Sequence, residues 1–284
     1  MTRYSVVIPA KNEAATITDL LGGLVDRAGV SEIIVVDDGS EDETAAVASQ
    51  SGATVISHSY SKGNGAAIKT GARAAKEDVI VFMDADGQHS PRDIKRLIDK
   101  LELGFDMVVG ARQFSSQASL GRGAANCFYN WLAAYMTGHK VEDLTSGFRV
   151  VKKANFLEFI NLLPNGFSYP TTSTMAFFRA GYSVGYVPIN VGRREGRSHI
   201  RPVKDGIRFL LIIFKIGTLY SPLKLFFPLS FFVFFVGLCY YGYTFFSMGR
   251  FTNMSALMFT TSLIVFMVGL VSEQITALMY KNDR

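Results

Sequence analysis

Three short polar clusters, each placed straight after an apolar run, hold the chemistry available to this sequence. Asp84 and Asp86 follow Val79-Ile80-Val81-Phe82-Met83, stand one residue apart, and precede Gln88. Oxygen ligands of this kind suit a hard cation, Mg²⁺ or Mn²⁺, which binds through one or two carboxylates and completes its shell with substrate phosphates. Asp37 and Asp38 end the run Ile34-Val35-Val36 and are followed by Gly39-Ser40, Asp42 and Thr44. Ser40 and Asp42 suit the capping of a helix start. That leaves a carboxylate of the Asp37-Asp38 pair to accept hydrogen bonds from a base imide or a ribose hydroxyl. The third cluster, Lys11-Asn12-Glu13, follows Ser5-Val6-Val7-Ile8 and Pro9.

Lys62-Gly63-Asn64-Gly65 opens an apolar-periodic stretch. It suits backbone N–H groups offered to phosphate at a helix start, and equally a glycine-rich turn with no ligand. It matches neither familiar nucleotide loop: Ile68 stands where the dinucleotide pattern needs its third glycine, and no glycine precedes Lys69 as a P-loop requires.

The elements that must position these clusters alternate. Strands are expected at Ser5–Ile8, Glu32–Val36, Thr54–Ser57, Val79–Met83 and Met107–Val109. Helices are expected at Asn12–Asp26, Glu41–Ser51, Gly65–Ala75 and from Pro91 to about Leu103. Such alternation builds βαβ units on a mainly parallel sheet, which binds ligands beyond the carboxyl ends of its strands. The three polar clusters all sit at such ends, so they converge on one crevice. Beyond Gly110 regularity weakens; a helix around Asn126–Met136 and a polar loop to Gly147 are expected to shape the acceptor side.

The chain of 284 residues changes character near Leu223. Leu225–Met248 and Thr252–Ser272 carry no charge, and each reaches the roughly 20 residues a helix needs to cross a bilayer. Only Gly249-Arg250-Phe251 separates them, so a hairpin with both outer ends on one side follows. Glu273, near the end of the second span, is inexpensive only near an interface. No apolar leader precedes the first strand, and Arg193, Arg194, Arg197, Arg201, Lys204, Arg208, Lys215 and Lys224 crowd before the first span. The positive-inside rule therefore expects the large domain in the cytoplasm. Arg201–Tyr220 reads either as an amphipathic helix at the headgroup boundary or as a helix packed on the domain. The resulting division is residues 1–200 for the α/β domain, 201–222 for a juxtamembrane segment and 223–284 for the hairpin and tail.

A net charge of +5 gathered beside the membrane favours anionic headgroups and argues against nucleic acid. Cys127 and Cys239 are too far apart, one of them inside a span, to form a disulfide framework or a zinc site. His58, His89, His139 and His199 are scattered and read as surface or supporting polar groups. Two thin spans leave apolar surface for a homo-oligomer to share.

Val7-Ile8-Pro9-Ala10-Lys11-Asn12-Glu13, Ile34 to Ser40, Lys62 to Gly65, Asp84-Ala85-Asp86-Gly87-Gln88 and Gly110-Ala111-Arg112 occur in an order and spacing that resemble family 2 glycosyltransferases of the GT-A fold. Asp143 to Arg149 and Arg193 to Ser198 resemble the later motifs of polyprenyl-phosphate glycosyltransferases, the group that includes dolichyl-phosphate mannose synthase and bacterial undecaprenyl-phosphate glucosyltransferases. The resemblance covers about the first 225 residues, and the two spans match one subclass.

What it implies is specific. Pro9, Asn12, Glu13, Val36, Asp38, Lys62, Asp84, Ala85 and Arg112 would bind the nucleotide-sugar. Asp86, Gln88 and Asp84 would hold the metal, and Asp86, Asp84 and Arg194 would carry catalysis. Arg149, Arg194, Arg197 and Ser198 would meet the acceptor phosphate or the diphosphate, although Arg193 and Arg197 also suit a purely solvated or headgroup-facing role. Lys11 departs from members with an aromatic residue at that place, and His199 from those with a lysine. The implied reaction is inverting transfer of one sugar to a polyprenyl phosphate at the cytoplasmic face of a membrane, the bacterial inner membrane being favoured. UDP-sugars are favoured over GDP-sugars by analogy with the bacterial subclass. A phosphate oxygen is already anionic and needs no general base. Two other readings stay open: the same fold acting on a hydroxyl acceptor such as a diacylglycerol or glycan, with Asp143 as base, and a non-catalytic nucleotide-sugar-binding membrane protein.

Overall fold

The computed structural model describes residues 2–25, 28–112, 120–166, 168–191, 218 and 221–281. It falls into two compact units, Met1–His199 and Ile200–Arg284.

The first unit opens with the expected alternation: β1 (Tyr4–Ala10), α1 (Ala14–Val25), β2 (Val30–Asp37), α2 (Thr44–Gln50), β3 (Thr54–Ser57), α3 (Asn64–Ala74), β4 (Val79–Phe82), α4 (Asp93–Glu102) and β5 (Met107–Arg112). It continues through α5 (Leu120–Thr137), β6 (Arg149–Lys152), α6 (Lys153–Glu158), α7 (Tyr169–Arg179) and β7 (Val184–Ile189). The seven strands form one sheet in the order β3-β2-β1-β4-β6-β5-β7. All pairings are parallel except those of β6, which inserts antiparallel between β4 and β5.

Val6, Val7, Ile8, Val35, Ile80, Val81 and Phe82 are fully buried, as central strands covered on both faces must be. Ile94, Leu97, Ile98 and Leu101 place the apolar stripe of α4 against the sheet. Helix α3 comes closer still: a Cβ at Gly71 would run into the side chains of Val7 and Val36. Val36 is therefore a core residue beneath α3. That leaves the backbone of Val36 for the expected nucleotide-sugar contact.

The sheet opens at its switch point. β1 pairs with β2 as far as Ala10 and Asp37, but with β4 only as far as Val7 and Phe82. Pro9 has no N–H to continue a second ladder, so the chain after β4 separates from β1. A crevice forms between them, where ligands of doubly wound sheets bind. α1 starts at Ala14 rather than Asn12, because Asn12 adopts the left-handed region with φ 56°.

The second unit is an antiparallel pair, α8 (Pro222–Met248) and α9 (Asn253–Lys281). Both are long and apolar enough to cross a membrane. Gly249, with φ 62°, ends α8 in a left-handed cap. Ser262 donates to the carbonyl of Ser230 at 2.8 Å, and Gly237 and Gly269 let Met258 and Phe226 pack close. The Leu223 N–H donates to the Glu273 carboxylate at 3.2 Å. That N–H lies in the first turn of α8, where backbone donors have no partner within the helix, so Glu273 sits level with the outer end of the hairpin. The amphipathic element expected at 201–220 lies outside the described residues, apart from Thr218.

Candidate active site

Residues from the ends of β1, β2 and β4 and from the 145–147 and 169–170 segments line a cavity of about 460 Å³. Pro9, Lys11, Glu13, Asp38, Ser61, Gly63, Asn64, Asp84, Ala85 and Asp86 form one part of the wall, and Thr145, Gly147, Tyr169 and Pro170 another. Asn12, Lys62, Gln88, Arg112 and Arg149 border this region without lining the cavity. Arg194, Arg197 and Ser198 lie outside the described residues.

Two loops fasten the β1 end to the β2 end. Asn12 N–H donates to Ser40 Oγ at 3.0 Å, while Asn12 Oδ1 accepts from Glu41 N–H at 2.9 Å. Glu13 N–H donates to Thr44 Oγ1 at 2.9 Å, and Ala14 N–H to Asp42 at 3.2 Å. Asn12 is thus a loop clasp. Ser40 caps a donor of the neighbouring loop, while Asp42 accepts both from Ala14 N–H at the start of α1 and, at 3.1 Å, from Thr44 N–H at the start of α2.

Asp38 departs further from expectation. It lines the cavity, but its buried carboxylate accepts from His58 Nδ1 at 2.7 Å and from Ser61 Oγ, Lys62 N–H and Gly63 N–H, each at 2.8 Å. A carboxylate offers about four acceptor sites, and the chain's own donors fill them. Its work in this structure is to shape the Ser61–Gly63 loop. His58, read as a supporting group, is buried between Asp38 and Thr70 Oγ1, 3.0 Å from Nε2. The Lys62 side chain lies over the Tyr60 ring at 5.6 Å, while its N–H serves Asp38.

Asp84 and Asp86 share the turn after β4. Thr16 Oγ1 holds the turn by donating to Ala85 O at 2.9 Å, and Gln88 N–H donates to Asp86 Oδ1 at 3.1 Å. His89 Nε2 stands 3.7 Å from Asp84 Oδ2, its ring stacked on Phe148. Gly147 passes so near that any Cβ there would strike the Asp84 carboxylate. Among the described residues no three His, Cys, Asp or Glu side chains are grouped to hold a metal ion. Two cavity-lining carboxylates do fit a cation whose remaining ligands come from a diphosphate.

Across the cavity, Arg112 grips Asp143 in a two-pronged pair, Nε to Oδ2 at 2.7 Å and Nη2 to Oδ1 at 2.9 Å. The N–H groups of Thr145 and Ser146 add bonds of 3.1 Å each to Asp143. Burial alone would raise the Asp143 carboxyl, but hydrogen bonds and charge from Arg112 hold it below the ordinary range. Arg112 is shifted upward: burial acts against its charge, and Asp143 and then Asp84 outweigh it.

Arg149 requires a correction. Expected to meet a phosphate, it is fully buried. Nη1 lies 2.9 Å from Pro170 O, 2.7 Å from Ser173 Oγ and 3.2 Å from Thr174 Oγ1, and Nη2 donates to Ser146 O. It ties the 146 loop to the start of α7 and so sets two walls of the cavity from behind. Tyr169, stacked 5.8 Å above its guanidinium, and Pro170 gave no signal in the sequence. Their place follows from the antiparallel insertion of β6, which local periodicity does not report.

Asp38, Asp106 and Asp143 all have carboxyls held below their usual value near 3.8; burial opposes the shift, and hydrogen bonds outweigh it. In the window between the lowered and ordinary values the unfolded chain binds more protons, so stability rises with pH there. The domain is expected to lose stability as pH falls below about 5, with the loss complete only below the folded-state values. Asp38→Asn is expected to cost about 3 kcal/mol near neutral pH and to flatten that acid slope. Unfolding midpoints measured from pH 7 to 3 test this, and an unchanged slope would contradict it.

The mostly parallel sheet and the cavity at its strand ends define a domain of the GT-A type, and the family comparison gives the particular placement. Residues 5–161 match the model for glycosyl transferase family 2, and residues 221–278 match the GtrB C-terminal hairpin. The chain belongs to glycosyl transferase family 2. It is 30% identical to a polyprenol monophosphomannose synthase of Mycolicibacterium smegmatis, covering 68% of this chain and 78% of that one. It is also 30% identical to an undecaprenyl-phosphate mannosyltransferase of Micrococcus luteus, covering 68% and 85%. An uncharacterised Methanocaldococcus jannaschii protein is 36% identical, but the match covers 51% of this chain and 62% of that one. A glucosyl-3-phosphoglycerate synthase of Mycobacterium tuberculosis, solved with Mn²⁺ and UDP-glucose, superposes with a TM-score of 0.62 at 25% identity over 76% of this chain and 78% of its own.

Proposed function

We propose that this enzyme transfers a single sugar, with inversion, from a nucleotide-sugar to a polyprenyl phosphate at the cytoplasmic face of the membrane that holds α8 and α9. The carrying observation is the state of Asp143. The carboxylate best placed to act as a base on the acceptor side is already capped by Arg112, Thr145 and Ser146 and held ionised at low pH. A hydroxyl nucleophile would need a free base, whereas a phosphate oxygen attacks without one. The names of the two mannosyl-transferring relatives support a polyprenyl-phosphate acceptor. The neighbour solved with UDP-glucose and Mn²⁺ supports a UDP-sugar and a divalent ion.

In this reading Asp84 and Asp86, aided by Gln88, would hold Mg²⁺ or Mn²⁺, and the ion would supply charge neutralisation to a diphosphate leaving group. Pro9, Glu13 and Ala85 border the nucleoside. The loop shaped by Asp38 presents Ser61 and Gly63 to the cavity. Arg112 orients Asp143, and the Asp143 pair fixes Thr145 and Gly147 as the acceptor-side wall. An oxygen of the lipid phosphate forms a bond to the anomeric carbon as the bond to the nucleoside diphosphate breaks, and alignment of the two is the protein's main contribution. Arg194, Arg197 and Ser198 meet the acceptor phosphate or the diphosphate. The domain occupies residues 1–200, with 201–222 leading to the hairpin, and the bacterial inner membrane is its favoured site.

Asp143→Asn separates this reading from transfer to a hydroxyl. With a polyprenyl phosphate acceptor, kcat is expected to stay within about tenfold of the parent enzyme, because the lost charge weakens positioning and removes no proton acceptor. A fall of a thousandfold or more, with a folded protein, would mark Asp143 as the base and overturn the reading.

A further inference from the structure

Helix α5 exposes an aromatic stripe that the active site does not use. Phe128, Trp131 and Tyr135 fall on one face and are 48%, 61% and 48% exposed. Their rings form a continuous ladder, Phe128 to Trp131 with centroids 5.9 Å apart and Trp131 to Tyr135 at 6.2 Å. The other side of the same helix buries Ala133 and Met136 and packs on α7. A soluble surface has little reason to hold three large rings together in water.

We propose that the Phe128–Trp131–Tyr135 face of α5 is a membrane contact, seated among the lipid headgroups of the bilayer that holds this chain. Three observations select lipid. Tyr and Trp have an apolar body and a polar tip, the combination enriched at the membrane–water boundary. The same chain carries two helices long and apolar enough to cross a membrane. The chain's net charge of +5 also favours anionic headgroups. Three half-exposed rings offer a few hundred Å² at most, well short of the roughly 800 Å² per partner of a stable protein contact.

The contact would serve the cavity directly. Asn130, on the same helix, donates through Nδ2 to Glu142 O at 2.7 Å and accepts from Leu144 N–H at 3.0 Å. Helix α5 thus grips the two residues flanking Asp143, whose neighbours Thr145 and Gly147 line the cavity. Seating the stripe in headgroups places the acceptor-side wall beside the lipid phosphate, a consequence that rests on the transfer reading above.

Trp131 is the one tryptophan of the chain, so its fluorescence reports this face alone. The full chain is reconstituted in bilayers with and without phosphatidylcholine brominated near the top of its acyl chains, and iodide is added from the water. Bromolipid is expected to remove about half of the emission and iodide to quench little, as for a ring seated at the headgroup boundary. Strong iodide quenching without bromolipid quenching would overturn the proposal, because the ring would then lie in water. Shielding from both quenchers would overturn it as well, since protein would then cover the face. Trp131→Phe supplies the background signal. The readout needs no turnover, so failure of the transfer reading and failure of the membrane contact are recorded separately.

Discussion

Asp86→Ala is expected to reduce sugar transfer by about a thousandfold or more while leaving the unfolding temperature of the domain nearly unchanged. Asp86 lines the cavity and its Oδ1 accepts from Gln88 N–H in a local turn. Its removal therefore takes little from the fold. Activity should suffer far more, because Asp84 and Asp86 are the two cavity carboxylates of the turn after β4 that would hold a diphosphate-bound cation. Losing one halves that set at the point where charge builds on the leaving group. Measuring kcat/KM at saturating Mg²⁺ or Mn²⁺ together with thermal unfolding checks both halves of the expectation. Activity within about tenfold of the parent enzyme would remove the metal from the account.

Arg149→Ala should show the opposite pattern, a large loss of stability from a residue whose guanidinium is fully buried. Its guanidinium is the shared partner of Ser146 O, Pro170 O, Ser173 and Thr174 in a fully buried site. Truncation takes the guanidinium donor from Ser146 O, strips a partner from Pro170 O, Ser173 and Thr174, and opens a cavity, which together cost about 4 kcal/mol. For a domain of this size the unfolding temperature would fall by about 10 °C. Arg149→Lys should recover little of it, because one ammonium cannot span the partners that the planar guanidinium reaches. If Arg149 were instead a phosphate contact, stability would hold and acceptor KM alone would rise.

The two residues show what the sequence could and could not convey. Asp84 and Asp86 were legible because they end a buried strand next to two other polar strand ends, and periodicity locates strand ends well. The same reasoning placed β1 to β5, the helices between them and the apolar hairpin. It failed at Arg149, where the burial of an arginine is decided largely by Pro170 O and the Ser173 and Thr174 hydroxyls, more than twenty residues away on α7. Asp38 does line the cavity, but its partners could not be read: His58 and the Ser61–Gly63 loop return through β3 to saturate its carboxylate. In each case the local pattern was right and the long-range partner was unreadable.

The central claim is that a sugar passes to a lipid phosphate. Its most direct measurement is the lipid product formed when the purified full chain, in bilayers with Mn²⁺ or Mg²⁺, receives labelled UDP- and GDP-sugars and either a polyprenyl phosphate or a hydroxyl lipid. A sugar–phosphate–lipid made from one nucleotide-sugar, with no label on the hydroxyl lipid, is the expected result. Label on the hydroxyl lipid alone would contradict it.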